Sequence, residues 1–249
     1  MKNNLPLGLS QFRRFVHARF SPEEVLGLHL TLGILILIGA SWLFAAIAED
    51  VVNKEQLTEI DVDVTQAVQS RASRALTTAM LVITHAHSTP AGFLIASLIV
   101  AYFLRNRLKS WALAFSLSVG GGMLLNVSLK NLFQRARPTF DDPILTFTSY
   151  GFPSGHTMLA TTLYGVLCVF LISRVRSWLL RLLAIIVAAL LIGLVGFSRI
   201  YLGAHYLSDV MAAMVEGLAW VALCLTAVHT MRRWKEQRQN KADEFMDRV

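Results

Sequence analysis

The stretch "LHLTLGILILIGASWLFAAIA" (residues 28–48) runs through twenty-one positions without a lysine, arginine, aspartate or glutamate. A hydrocarbon core about 30 Å thick is crossed by roughly 20 mostly apolar residues in a helix. The helix satisfies its own backbone polar groups where no water can, so this stretch predicts a membrane-spanning helix. Lys2, Arg13 and Arg14 precede it and "AIA" (46–48) closes it, the outline of a secretory signal. The apolar run is longer than a signal core and lies behind a tail of more than twenty residues, so it reads as a retained first span.

Working outward, the whole chain shares this character. Its 249 residues are 55% hydrophobic and 16% charged, with a mean hydropathy of +0.53, too apolar for one soluble core. Further runs of near-spanning length fall at 91–104 with a helical lead-in from about Thr78, and at 111–133, 157–172, 178–197 and 207–228. The expected architecture is all-α, a polytopic bundle of six transmembrane helices. "THAHSTP" (84–90) interrupts the second span with polar groups and a proline. Between the first two spans, 49–77 mixes acids with apolar residues in "IDVDVTQAVQSRAS" (60–73) and predicts an amphipathic helix lying on the membrane surface. The chain thus divides into an N-terminal tail (1–27), a six-span domain (28–230) and a basic tail (231–249).

Lysine and arginine accumulate at cytoplasmic helix ends. With six spans, sixteen of the 23 basic residues fall on one face: the N-terminal tail, the turns holding Arg105, Arg107 and Lys109 and then Arg174, Arg176 and Arg181, and the C-terminal tail. Both termini are therefore expected in the cytoplasm of a multi-pass cell-membrane protein. The basic excess is flanking charge that suits topology and anionic lipid, so no nucleic-acid partner is expected. Cys168 and Cys224 lie inside apolar runs without metal-type spacing and read as small core residues.

Polar chemistry gathers on the opposite face, in "KNLFQRARP" (130–138), "PSGH" (153–156) and "SRIYLGAHYLSD" (198–209). Cations at membrane boundaries need an anionic partner. Lys130 and Arg137 lie seven residues apart, about two helical turns, and Arg offers a planar fork for two phosphate oxygens where Lys offers a point charge. Pro153 and Ser154 are helix-start residues, and the free N–H groups of a first turn attract anions. Gly155 lets such an anion approach the backbone. His205 precedes Asp209 by four residues, a spacing that on a helix sets a carboxylate beside an imidazole and leaves the second ring nitrogen its lone pair. With His156, one histidine is placed to attack phosphorus and the other to protonate the departing oxygen. Three nearby cations would repel a divalent ion, so no metal or other cofactor is expected.

"THAHSTP" contains an H-x-H pair whose rings point about 200° apart on a helix, and His85 is the one expected at the pocket mouth. "GGGM" (120–123) reads as close helix contact or a bend, and Arg135 as a partner for Asp141 or Asp142.

The set Lys130-x6-Arg137-Pro138, Pro153-Ser154-Gly155-His156 and Ser198-Arg199-x5-His205-x3-Asp209 resembles the three-part signature of the type 2 phosphatidic acid phosphatase superfamily, which includes vanadium haloperoxidases and bacterial acid phosphatases. The resemblance spans about 78–228. It implies a metal-independent enzyme in which His205 forms a phosphohistidine, Asp209 orients it, and His156 protonates the leaving group and then activates water. Lys130, Arg137, Ser154, Gly155 and Arg199 would hold the phosphate oxygens. The implied substrate is a phosphorylated membrane lipid presented at the outer face of a bacterial cytoplasmic membrane: undecaprenyl diphosphate, put first as a carrier to be recycled, or phosphatidic acid, phosphatidylglycerol phosphate or lipid A. A lipid phosphotransferase with the same site, or a carrier that binds without cleaving, stands as the alternative.

Overall fold

The computed structural model describes residues 28–140, 145 and 148–246, and the N-terminal tail lies outside them. The described chain is helical throughout: α1 (Leu28–Asn53), α2 (Gln56–Gln69), α3 (Arg74–Ala86), α4 (Thr89–Arg105), α5 (Lys109–Ser116), α6 (Gly122–Phe133), α7 (Gly155–Arg174), α8 (Trp178–Tyr201) and α9 (Leu207–Met246). A π-helical turn, Leu117–Gly121, joins α5 to α6 without a break.

The burial pattern is inverted relative to a water-soluble protein. Large apolar side chains face outward, with Trp42 73%, Leu35 59% and Leu190 66% exposed, while Asp61, Asn126, Arg199, His205 and Asp209 are almost wholly buried. Water would penalise such an apolar exterior, whereas lipid is as apolar as leucine. Among the described residues five helices are long and apolar enough to span a membrane: α1, the continuous α5–α6 unit, α7, α8 and α9. A sixth span arises if α3 and α4, which meet at 50°, are counted as one. The bend falls where sequence predicts an interruption. Ser88 starts α4 and Pro90 occupies its first turn, where a missing N–H costs nothing.

α7 forms the centre. It packs between α8 and α9, α1 lies along α9, and α3 lies against α8. Phe103, Phe115, Val119, Leu163 and Val166 make the main apolar core. The glycine run brings helices close: a Cβ on Gly121 would stand 2.7 Å from the Trp220 ring, and one on Gly122 2.9 Å from Met158. Close contact and a local irregularity, the π turn, both occur there.

α2, expected to lie on the membrane surface, packs its Asp61–Thr65 face inward against α8 and α9. α9 continues as one helix through the basic tail to Met246.

Candidate active site

The end of α6, the start of α7, the end of α8 and the start of α9 converge at one end of the bundle. After Arg199 the chain leaves α8 through a tight turn. Gly203 adopts φ +67, a conformation that disfavours side chains, and the N–H groups of Ala204 and His205 return to the Arg199 carbonyl. His205 therefore sits in a turn ahead of α9, whereas the four-residue spacing had suggested a shared helix.

The pair meets all the same, because Asp209 caps α9. Its Oδ2 accepts the N–H of Tyr206 at 2.9 Å, the third-position half of a capping box, and also lies 3.3 Å from His205 Nδ1. On the other side of the ring, Arg137 Nη1 stands 3.2 Å from His205 Nε2. A guanidinium only donates and a carboxylate only accepts, so His205 carries its proton on Nδ1 and presents a lone pair on Nε2. Burial first, and then Arg137, Lys130 and Arg199, hold the His205 pKa well below the ordinary imidazole value. The ring is neutral, the form a nucleophile requires.

Arg137 is oriented by carbonyls: Nε donates to Ser149 O at 2.8 Å and Nη1 to Ala204 O at 2.7 Å. Lys130 Nζ donates to Tyr150 O at 2.8 Å. A cavity of about 400 Å³ opens beside Arg135 and Arg137 under the 148–150 loop. Arg199, 1% exposed, donates to Thr84 Oγ1 of α3.

α7 opens with Ser154, whose N–H is held by Asp209 O at 3.0 Å and whose hydroxyl accepts from Thr157 at 3.0 Å. The Ser154 hydroxyl is thus engaged with a side chain of its own helix. The first intrahelical bond runs from Met158 N to Ser154 O, which leaves the N–H groups of Gly155, His156 and Thr157 for an anion. A Cβ on Gly155 would stand 3.3 Å from Asn126 Oδ1, so a side chain there would need that amide to shift by a few tenths of an ångström. His156 lies in this first turn within electrostatic reach of Arg199, His205 and Arg137. The structure thus brings Lys130, Arg137, Ser154, Gly155, His156, Arg199, His205 and Asp209 to one place.

His85 lies apart. It is exposed, with Nδ1 on its own helix at Leu81 O, 2.6 Å away. His87 turns inward instead, with Nε2 2.7 Å from the Tyr164 hydroxyl of α7.

Two residues at the site belong to no motif. Arg135 donates to Asp209 Oδ1 at 2.6 Å and to Asp61 Oδ2 at 2.7 Å, and lies 4.7 Å over the Tyr206 ring. Although burial works against its charge, Asp209 and Asp61 together raise its pKa above the ordinary guanidinium value. The expected partners Asp141 and Asp142 lie outside the described residues. Asp61 Oδ1 also accepts Ser208 N at 2.8 Å. The acid-rich pattern of α2 signals a polar face, but no local feature says that this face meets α9.

Among the described residues no three His, Cys, Asp or Glu side chains gather as metal ligands would. What stands at this end of the bundle is a cluster of inward-turned cations around a carboxylate-backed imidazole.

Residues 111–233 match the PAP2 superfamily. Among its relatives, phosphatidylglycerophosphatase B of Bacillus subtilis is 34% identical over 131 residues, 52% of this chain and 64% of that protein. An undecaprenyl-diphosphatase of Sulfolobus acidocaldarius is 32% identical over 75 residues, 30% of this chain and 32% of that one. The chain thus spans less than two thirds of the length of either curated relative. The crystal structure of a transmembrane PAP2-type phosphatidylglycerolphosphate phosphatase from Bacillus subtilis superposes with a TM-score of 0.69 at 28% identity, covering 76% of this chain and 93% of that one.

Proposed function

We propose that the protein is a metal-independent lipid phosphatase that acts through a phosphohistidine on His205. The observation that carries this reading is the His205 ring itself, backed by Asp209 on Nδ1 and aimed through Nε2 at the cradle of Arg137. In the first step the Nε2 lone pair forms the N–P bond while the bond from phosphorus to the lipid oxygen breaks. That oxygen leaves with a proton from His156. Asp209 stabilises the positive charge that spreads to the imidazole. In the second step His156 takes a proton from water, the water oxygen attacks phosphorus, and the N–P bond breaks to release inorganic phosphate and restore His205. Arg137, Lys130, Arg199 and the first-turn N–H groups of α7 face the oxygens on which negative charge grows. They also supply the positive field that a metal ion would otherwise provide.

The substrate class follows from placement: a charged cradle at the end of a bundle with an apolar exterior suits a phosphate whose tail stays in the bilayer. The similarity to a phosphatidylglycerophosphatase over 131 residues puts phosphatidylglycerol phosphate ahead of the undecaprenyl diphosphate favoured by sequence alone. The distribution of basic residues supports a site on the non-cytoplasmic face.

The decisive experiment measures inorganic phosphate release by detergent-purified protein, with EDTA present, from phosphatidylglycerol phosphate, undecaprenyl diphosphate, phosphatidic acid and lipid A. Release that EDTA spares and His205→Ala abolishes is the expected result. Binding of these lipids by folded protein with no release would overturn hydrolysis and favour a carrier. Phosphate moved onto an acceptor lipid would establish a phosphotransferase.

A further inference from the structure

A second cavity, somewhat larger than the one beside Arg135 and Arg137, lies away from the candidate active site. It measures about 470 Å³ and lies between α5, α7 and the later part of α9. α7 runs from the catalytic turn at Gly155 to this cavity at Arg174 over 20 residues, a rise of roughly 30 Å. The cavity therefore opens at the opposite end of the bundle, one hydrocarbon thickness away from the cradle.

Its lining has two characters. Arg174, His229 and Arg232 stand at its rim with the hydroxyl of Ser173, while Trp111 and Leu225 line its apolar part. None of the described residues that line it is acidic. The Arg174 guanidinium is stacked over the Phe170 ring at 5.1 Å, which holds a planar two-pronged donor in place. Arg232 keeps one acidic contact, with Glu236 at 3.4 Å, in which both side chains are about half exposed and the pairing is weak in water. Ser110 and Trp111, also at the cavity, lie in the first turn of α5, where unpaired N–H groups add to the positive potential. Trp111 is the third residue of the apolar span Lys109–Phe133, and indoles are enriched at such span ends, where headgroup and acyl regions meet.

We propose that this cavity seats an anionic phospholipid of the leaflet opposite the candidate active site. Its phosphate would lie among Arg174, Arg232 and His229, and one acyl chain would lie along Trp111 and Leu225. The cations supply the charge complement for a phosphodiester, and the apolar part accounts for a lipid rather than a soluble anion. A basic pocket between transmembrane helices at a membrane surface is a general design for phospholipid headgroups. A lipid bound there bridges the ends of the continuous α5–α6 unit, α7 and α9, which carry site residues at their far ends, so its occupancy stabilises the bundle.

The test is thermal unfolding of the full chain in a zwitterionic detergent, titrated with phosphatidylglycerol or phosphatidylcholine. Expected is a rise in Tm with phosphatidylglycerol that phosphatidylcholine does not produce. The rise should persist in Lys130→Gln/Arg137→Gln, which weakens the cradle, and should need roughly tenfold more lipid in Arg174→Gln/Arg232→Gln, given the strength of charge-assisted contacts. Arg174→Gln alone should give an intermediate shift, and the cooperative melt of each variant shows independently that it is folded. Equal rises with both lipids would overturn the proposal, as would a rise lost in the cradle variant but kept in the Arg174/Arg232 variant. An equal rise with glycerol 3-phosphate would replace the lipid with a soluble anion.

Discussion

At the scale of single residues, the proposed mechanism turns on how His205 is kept neutral and aimed. Its depressed pKa has a definite consequence for pH dependence. A histidine nucleophile acts only when unprotonated, so activity attributable to it is retained above its pKa and lost below. With that pKa held low, kcat/KM should persist as pH falls through the ordinary imidazole range near 6.5, and its acid limb should appear only below that. Arg137 is the largest charged contributor to the depression, so Arg137→Gln should move the acid limb to higher pH as well as weaken substrate binding. The substrate phosphate titrates identically for both proteins, so a difference between their pH profiles belongs to the enzyme. Coincident profiles would show that Arg137 does not set the His205 pKa. Asp61 offers a second check at this scale. It touches neither His205 nor the cradle cations, but it shares Arg135 with Asp209. Asp61→Asn keeps an acceptor for Ser208 and removes the charge. We expect kcat to fall about tenfold with little change in KM, because the carboxylate that orients His205 loses a fixed partner. An equal rise in KM would instead place Asp61 in substrate binding.

At the scale of elements, helix contacts decide where the charged ends meet. The α5–α6 unit approaches α7 and α9 through its glycines, and these are not equivalent. Gly120 has open space where a Cβ would be, whereas Gly121 faces the Trp220 ring. Gly120→Ala should therefore leave Tm unchanged or slightly raised, since alanine favours the helix. Gly121→Ala should cost about 1–3 kcal/mol by overpacking. Thermal unfolding in detergent compares the two, and equal effects would show that Trp220 yields. The same scale explains the unequal fates of the two histidines in "THAHSTP". Sequence shows only that one of them must face away. The 50° bend between α3 and α4 then turns His87 towards Tyr164 and leaves His85 outside. Likewise, the amphipathic pattern of α2 is plain in "IDVDVTQAVQ", but whether its polar face meets water, headgroups or protein depends on what covers it. Here the start of α9 does, through Ser208, together with Arg135 from the segment after α6.

For the molecule as a whole, the strongest asymmetry is electrical. One end carries cations turned inward around a buried site, and the other carries Arg105, Arg107, Lys109, Arg174 and Arg176 at the helix ends, where the long basic helix of α9 emerges. Such flanking charge stays on the cytoplasmic side, so the two ends should be reached from opposite sides of the membrane. In a background with Cys168 and Cys224 replaced, a cysteine at the exposed Thr148 should react with an impermeant reagent added outside intact cells. One at the exposed Ser177 should react only after permeabilisation. Labelling of both from outside would contradict the six-span arrangement in which α3 and α4 together cross the membrane.

Sequence alone determined what depends on local composition and spacing. Apolar runs of spanning length specify helices in lipid, a proline and a serine mark where one of them bends, and the motif residues fall at helix ends because polar groups are confined to boundaries. Tertiary structure alone decided the partners: Asp61 beside Arg135 and Ser208, Arg135 on Asp209, His87 on Tyr164, and a basic cavity assembled from three helices. Those contacts join residues far apart in the chain. Their free energy depends on which faces pack and on the desolvation of the charges brought together, and neither is encoded in the pattern of any single helix.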